Sequence, residues 1–218
     1  MAIIRKGALG DVSGRIGDTV YRVRNHKNIG CKRPTSQKIS QTEDSVKNRS
    51  KFATVIHFAK LINSTPELLT CWKSAKIEGT SGFQRIIKHN SKMVSGSGLT
   101  SKNIITPSGF KIYKNSMSLE LPNIVFKLNI EDTSQKAPFK FYALLCLNNE
   151  QGSELMLVKS DGLSISKEDE IEGKIELCPE IIEKLKTTEK VLLLSALTSS
   201  SEKFFWSATI PFEQTLII

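Results

Sequence analysis

Between residues 11 and 34, apolar and polar side chains alternate in short runs broken by glycine: "DVSGRIG", "DTVYRVR" and "NIGCKRP". A period of two places successive side chains on opposite faces of a strand, so Val20, Arg22 and Arg24 share one face while Tyr21 and Val23 take the other. The pattern predicts a basic β-ribbon or small meander, with "NHKN" at 25–28 as a turn. A ribbon of this size buries too little by itself and must lie on something else.

The period then changes from two to about 3.6. Ser40 and Glu43 form a capping-box signature, and Phe52, Val55, Ile56, Ala59 and Ile62 follow at helical spacing, which predicts one amphipathic helix over 41–63. A second helix is expected in "TPELLTCWKSAK", with Thr65 as N-cap and Pro66 at the first position, where a missing N–H costs nothing. A third is expected in "SGFQRIIKHNSKMV", with Phe83, Ile86, Ile87 and Val94 on one face. The small residues of "SGSGLTSKN" interrupt the pattern. Seven strand candidates follow at regular spacing, from "FKIYK" to "KFFWSATIPF"; "NNEQG" reads as a hairpin, and "CPEIIEKLKTTE" as a helical turn inserted before the strand near 190. The expected fold class is α+β: an N-terminal β-ribbon and a small helical block, then an antiparallel β-sandwich of immunoglobulin or fibronectin type. The expected boundaries are a basic glycine-containing arm at 1–38, a helical block at 39–94, a linker at 95–103 and a sandwich domain at 104–218.

Composition narrows the class without changing this picture. With 218 residues, 39% of them hydrophobic and 24% charged, the chain is long enough to bury a core. The apolar run at the N-terminus is too short for a secretory signal, and no run of apolar residues is long enough for a membrane span, so cytoplasmic synthesis without a signal peptide is expected, with or without incorporation into an assembled particle. Charge matters more. Residues 1–60 hold thirteen Lys/Arg against four Asp/Glu, a net +9, whereas 61–218 are balanced. Such asymmetry marks a nucleic-acid surface, an arm that docks on an acidic partner, or solvated strand faces.

The residues that carry chemistry elsewhere do not assemble into a motif here. Gly7, Gly10, Gly14 and Gly17 match neither a dinucleotide fingerprint nor a P-loop, and strands rather than a helix follow them. Glycine at strand positions instead marks a bulge, a bend or the close approach of another backbone. His26, His57 and His89 lack spaced partners; Cys31, Cys71, Cys146 and Cys178 form no Cys-x-x-Cys pair and are expected reduced and structural. The acidic run around Glu168, Asp169, Glu170 and Glu172 lacks the glycine and alternation of a calcium loop, and Trp72 and Trp206 are expected in a core or interface. No catalytic, cofactor-binding or metal-binding residue is identified, no cofactor is expected, and no small-molecule substrate is indicated.

Gly10, Gly14, Gly17, Val20 and Tyr21, then Arg33-Pro34, Thr42, and Arg49 with Phe52, resemble the opening of an uncharacterised protein family of Bacteroidetes and their phages. The resemblance covers about residues 7–60, and position 45 is Ser where the family pattern has Gln. It implies a β-rich C-terminal half and no enzyme activity, and it supplies no catalytic residues.

Architecture and charge together lead to the expectation of a non-enzymatic structural or assembly protein, a repeating subunit of a virion, tail or filament whose partners are copies of itself or other structural proteins. The assigned interface is Gly10, Gly14 and Gly17 for close backbone approach, Val20, Tyr21 and Val23 for buried contact, and Arg22, Arg24 and Arg33 for pairing with acidic groups. The alternative is a nucleic-acid-binding protein, with Arg15, Lys27 and Lys32 joining the other cations along the ribbon and Arg85, Lys88 and Lys92 lining the third helix of a helix-turn-helix-like bundle.

Overall fold

The computed structural model describes residues 3–4, 12–24, 27–33, 39–96, 98–130, 138–149, 152–163, 170–199 and 204–216. The chain divides into two compact units, Met1–Thr42 and Glu43–Ile218.

The first unit is one antiparallel sheet in chain order: β1 (Ile3–Ile4), β2 (Val12–Ile16), β3 (Thr19–Arg24) and β4 (Lys27–Lys32). Ile16 pairs with Thr19 across the two-residue turn Gly17-Asp18, and Gly17 has φ 55°, a left-handed conformation that favours glycine. That turn is pinned from the far strand, because Arg33 N–H donates to the Asp18 carbonyl at 2.7 Å. Of the expected turn at 25–28, Lys27 and Asn28 belong to β4, and positions 25 and 26 lie outside the described residues. None of the described side chains in this sheet is buried.

The second unit is mixed α+β. Its helices are α1 (Glu43–Ser64), α2 (Pro66–Ser74) and α3 (Gly82–Asn90), the last continued by a 3-10 turn at Ser91–Met93. Then come β5 (Ile112–Glu120), β6 (Asn123–Ile130), β7 (Phe139–Asn149), β8 (Gly152–Leu163), β9 (Glu170–Glu176), α4 (Pro179–Leu185), β10 (Lys190–Ser199) and β11 (Ile210–Thr215). The strands form two antiparallel sheets, ordered β11-β10-β7-β8 and β5-β6-β9. Among the described residues, no helix is long and apolar enough to cross a membrane.

Side-chain alternation along β7 explains how the layers stack. Phe139, Phe141, Ala143, Leu145 and Leu147 pack with Ile124, Phe126, Leu128 and Ile171 of the three-stranded sheet, while Tyr142, Leu144 and Cys146 pack with Val55, Phe58, Ile62, Trp72 and Ile86 of the helices. β10 divides in the same way, with Val191, Leu193 and Leu197 on one side and Leu192, Leu194 and Ala196 on the other. The four-stranded sheet is therefore a middle layer, covered by a sheet on one face and helices on the other.

Two expectations change. Residues 95–103 are not a linker between separate bodies: Leu99 is 3% exposed, and the buried Asn103 donates through Nδ2 to the carbonyl and Oδ1 of Asn90, at 3.2 Å each. Asn103 Oδ1 accepts from Thr100 N–H at 2.8 Å, and Asn90 Oδ1 accepts from Ile104 N–H at 2.8 Å. An asparagine pair so satisfied holds the end of α3 to the 100–104 segment, and the helical block and sandwich form one unit. The buried stripe of α1 is Val55, Phe58, Ala59 and Ile62; Phe52 is 60% exposed. None of residues 43–54 is buried.

Candidate interaction surface

In an antiparallel pair, residues directly opposite one another project to the same face. The register aligns Gly14 with Tyr21 and Gly30, Ile16 with Thr19 and Lys32, and Val23 with Asn28. These positions form one face of the N-terminal sheet. The other face carries Arg15 with Val20 and Cys31, Arg22 with Ile29, and Arg24 opposite Lys27.

The first face is apolar and low. Ile16 is 52% and Val23 37% exposed, and between them Tyr21 is half-buried with glycine on both neighbouring strands. A Cβ at Gly30 would lie 3.1 Å from Tyr21 Cε1, so the ring lies across the glycine backbone. Gly14 has φ 116°. Gly17 is required by the turn, and Gly30 makes room for the ring. Both glycines have reasons inside the sheet, where close approach of a neighbouring chain had been assigned to Gly17. Gly10 lies outside the described residues.

The second face is cationic. Arg15, Arg22 and Lys27 are exposed, and Arg24 occupies the adjoining position. Arg15 donates from Nε to the Gly17 carbonyl at 2.6 Å and lies 3.9 Å from Asp18, both side chains more than half exposed. A pair so exposed contributes little to stability and leaves Arg15 available to a partner.

The predicted interface residues are thus split rather than gathered. Tyr21 and Val23 face one way, with Gly14; Val20, Arg22 and Arg24 face the other. A single flat partner cannot meet both sets. Lys32 belongs to the apolar face, apart from Arg15 and Lys27. Ile16 and Ile29 were missed by sequence reasoning. Their alternation was visible, but assigning Ile16 to the Tyr21 side requires the turn length that fixes the register.

The helical cations belong elsewhere. Arg85 donates to the carbonyls of Trp72 (3.0 Å), Lys73 (2.7 Å), Ala75 (3.0 Å) and Gly79 (3.1 Å), closing the C-terminal end of α2. Lys88 is ion-paired with Glu78. Arg85 is engaged within the unit, whereas Lys88, in a pair more than half exposed on both sides, and Lys92, on an exposed turn, are left at the surface.

A cleft of about 470 Å³ opens between the 95–100 segment and the ends of β10 and β11. Its polar lining is occupied internally: Ser95 Oγ donates to Gly98 O, Thr100 Oγ1 to Met93 O, and the Gln214 amide bonds Leu119 N–H and C=O. The exposed Lys190, Glu213 and Thr215 remain to meet a ligand, and they lack the converging buried groups of a small-molecule site.

Trp72 is fully buried and donates from Nε1 to Ile105 O at 2.9 Å, with the His89 ring edge-on at 6.0 Å. Burial pushes the Cys71 thiol up to about 12 and Cys146 to about 11, so both stay protonated and inert; Cys31 and Cys178 are exposed. Among the described residues, no group of three His, Cys, Asp or Glu side chains is placed to hold a metal ion.

No protein-family model matches the chain, and neither the curated proteins nor the solved structures contain a match.

Proposed function

We propose that this protein is a non-enzymatic structural or assembly component, a repeating subunit of a virion, tail or filament, that docks through the apolar face of its N-terminal sheet onto copies of itself or onto other structural proteins. One observation carries this reading: a four-stranded sheet presents Ile16, Tyr21 and Val23 around two glycines, and none of its described side chains is buried. A single-layer sheet with an apolar face reaches stability by packing that face on another layer. Burying each of these side chains contributes roughly 1.5–3 kcal/mol, whereas a rim cation contributes about 0–1 kcal/mol. Apolar contact therefore dominates.

The second unit fits the same reading as a rigid body. We assign its strands to an immunoglobulin- or fibronectin-type sandwich, supported by their division: the first, second and fifth form one sheet, and the third, fourth, sixth and seventh the other. The link from that architecture to a structural role is analogy, and the docking face is the specific element.

The test is full-length protein carrying Ile16→Lys and Val23→Lys, followed by light scattering and electron microscopy. Wild type should assemble and the variant should remain dispersed with an unchanged circular dichroism spectrum. A wild type that stays monomeric at high concentration and recovers no partner from its host overturns the reading, as does a variant that assembles normally.

A further inference from the structure

We propose that the opposite, cationic face of the N-terminal sheet binds a DNA duplex through its phosphates. This inference does not rest on the assembly reading, because its residues lie on the other side of the sheet.

Residues 1–42 hold nine Lys/Arg against two Asp/Glu, a net +7 of the chain's +9. The register concentrates that excess: Arg15 on β2, Arg22 and Arg24 on β3 and Lys27 on β4 form a diagonal band on one face, interspersed with Val20, Ile29 and Cys31. Among the described residues of this sheet the single carboxylate is Asp18, in the turn beside Arg15. Like charges on neighbouring strands repel one another, a cost that a bound polyanion relieves.

The dimensions of the band and the residue types on it select the polyanion. Four residues along the strand and two strand spacings separate the positions of Arg15 and Lys27, roughly 17 Å at about 3.4 Å per residue and 4.8 Å per strand. A duplex carries one negative charge per ~1.7 Å of axis, so a band of this length meets several phosphates whatever its register. Single strands are held largely by stacking on aromatic rings, and the sheet's tyrosine, Tyr21, lies on the far face. Base edges are read from an element seated in a groove, and the major groove, about 12 Å wide, admits a helix or a two-stranded ribbon; this band crosses three strands of a four-stranded sheet, so its arginines meet the backbone. Binding is therefore independent of sequence. Arg85 does not share in it, since its guanidinium is engaged within its own unit.

Fluorescence anisotropy with full-length protein and a labelled duplex of about 20 base pairs tests the proposal. Two unrelated DNA sequences should bind equally, with affinity falling as salt rises at a log–log slope near −3, the value for about three to four phosphates. Arg15→Gln with Arg22→Gln should flatten that slope by about 1.8 and weaken low-salt binding at least about tenfold. Lys27→Gln, a milder change, should flatten it by about 0.9. The Ile16→Lys, Val23→Lys protein, which breaks the assembly reading, should bind DNA no more weakly than wild type. The proposal is overturned by absence of binding at roughly 50 mM salt, by full binding in both glutamine variants, or by tighter binding of a single strand or of polyglutamate than of the duplex.

Discussion

The N-terminal sheet and the sheet β11-β10-β7-β8 each have four antiparallel strands, yet their surroundings are opposite. In β7 residues 141–147 are all buried, and in β10 residues 191–199; in β4 every residue is exposed. The sequences differ accordingly: "FYALLCL" and "VLLLSALTS" run almost without polar interruption, whereas "KNIGCK" mixes cations, glycine and isolated apolar residues. Near-continuous apolar strands are usual in parallel sheets, where helices cover both faces. Here the sheet is antiparallel and the same condition is met differently, by helices on one face and a second sheet on the other. An uninterrupted strand thus reports double coverage, whatever its direction. Of the polar residues in the middle layer, Ser195 Oγ donates to Ile210 O at 3.1 Å, while the buried Thr198 Oγ1 meets no partner among the described residues.

The sharpest contrast between the two sheets is chemical. Cys31 lies on an exposed strand of the first and Cys146 on a buried strand of the second. A maleimide reagent should modify Cys31 and Cys178 within minutes, and Cys71 and Cys146 on the order of a thousandfold more slowly, through unfolding alone. Mass spectrometry before and after denaturation checks this; prompt labelling of Cys146 would show that the helical layer does not seal the sheet.

Next in size is stability. Leu144 is fully buried against the helices, and Leu144→Ala should cost about 2–5 kcal/mol by denaturant unfolding. Val23→Ala in the exposed sheet should change the main unfolding transition by less than about 0.5 kcal/mol. Equal effects would erase the distinction drawn between the sheets.

The cations offer a third comparison. Arg85→Met removes the donor to four carbonyls and should lower stability by about 1.5–3 kcal/mol, while Arg22→Met on the exposed face should leave it nearly unchanged.

The smallest effect concerns Glu67 at the start of α2, which accepts from Lys140 Nζ on β7 at 2.8 Å. That bond holds the Glu67 carboxyl below its ordinary 4.5, against some desolvation. A depressed folded-state value means that the contribution is present above the unfolded value and is lost as pH falls through the folded one. Stability should therefore fall by about 0.2–1 kcal/mol as the pH drops below about 4.5, a loss that is absent in Glu67→Gln.

Much of the local structure was legible because it depends on neighbours in sequence. Thr65 holds the N-cap position of α2 and Pro66 opens it, although the Thr65 hydroxyl donates back to Leu61 O rather than capping, and α4 begins at Pro179 inside the segment read as an inserted helical turn. Ser81 Oγ caps α3 by accepting from Gln84 N–H at 3.2 Å. The alternation of β3 correctly placed Val20, Arg22 and Arg24 opposite Tyr21 and Val23. The short strand β1, by contrast, carries only two residues of pattern.

By itself, then, the sequence determined the kinds of elements, their order, the faces of single strands and the concentration of charge near the N-terminus, all set by periodicity, capping chemistry and composition over a few residues. Tertiary structure decided which faces are joined. Whether Ile16 sits beside Tyr21 depends on a two-residue turn, whether Phe52 is covered depends on what packs against its stretch of α1, and whether Arg85 is a contact or a cap depends on α2 ending within its reach. The glycines and small residues at 95–103 read as a flexible linker because nothing local distinguishes a loose segment from one held by Asn90 and Asn103. Burial is a property of what lies opposite, and that is fixed only when distant segments meet.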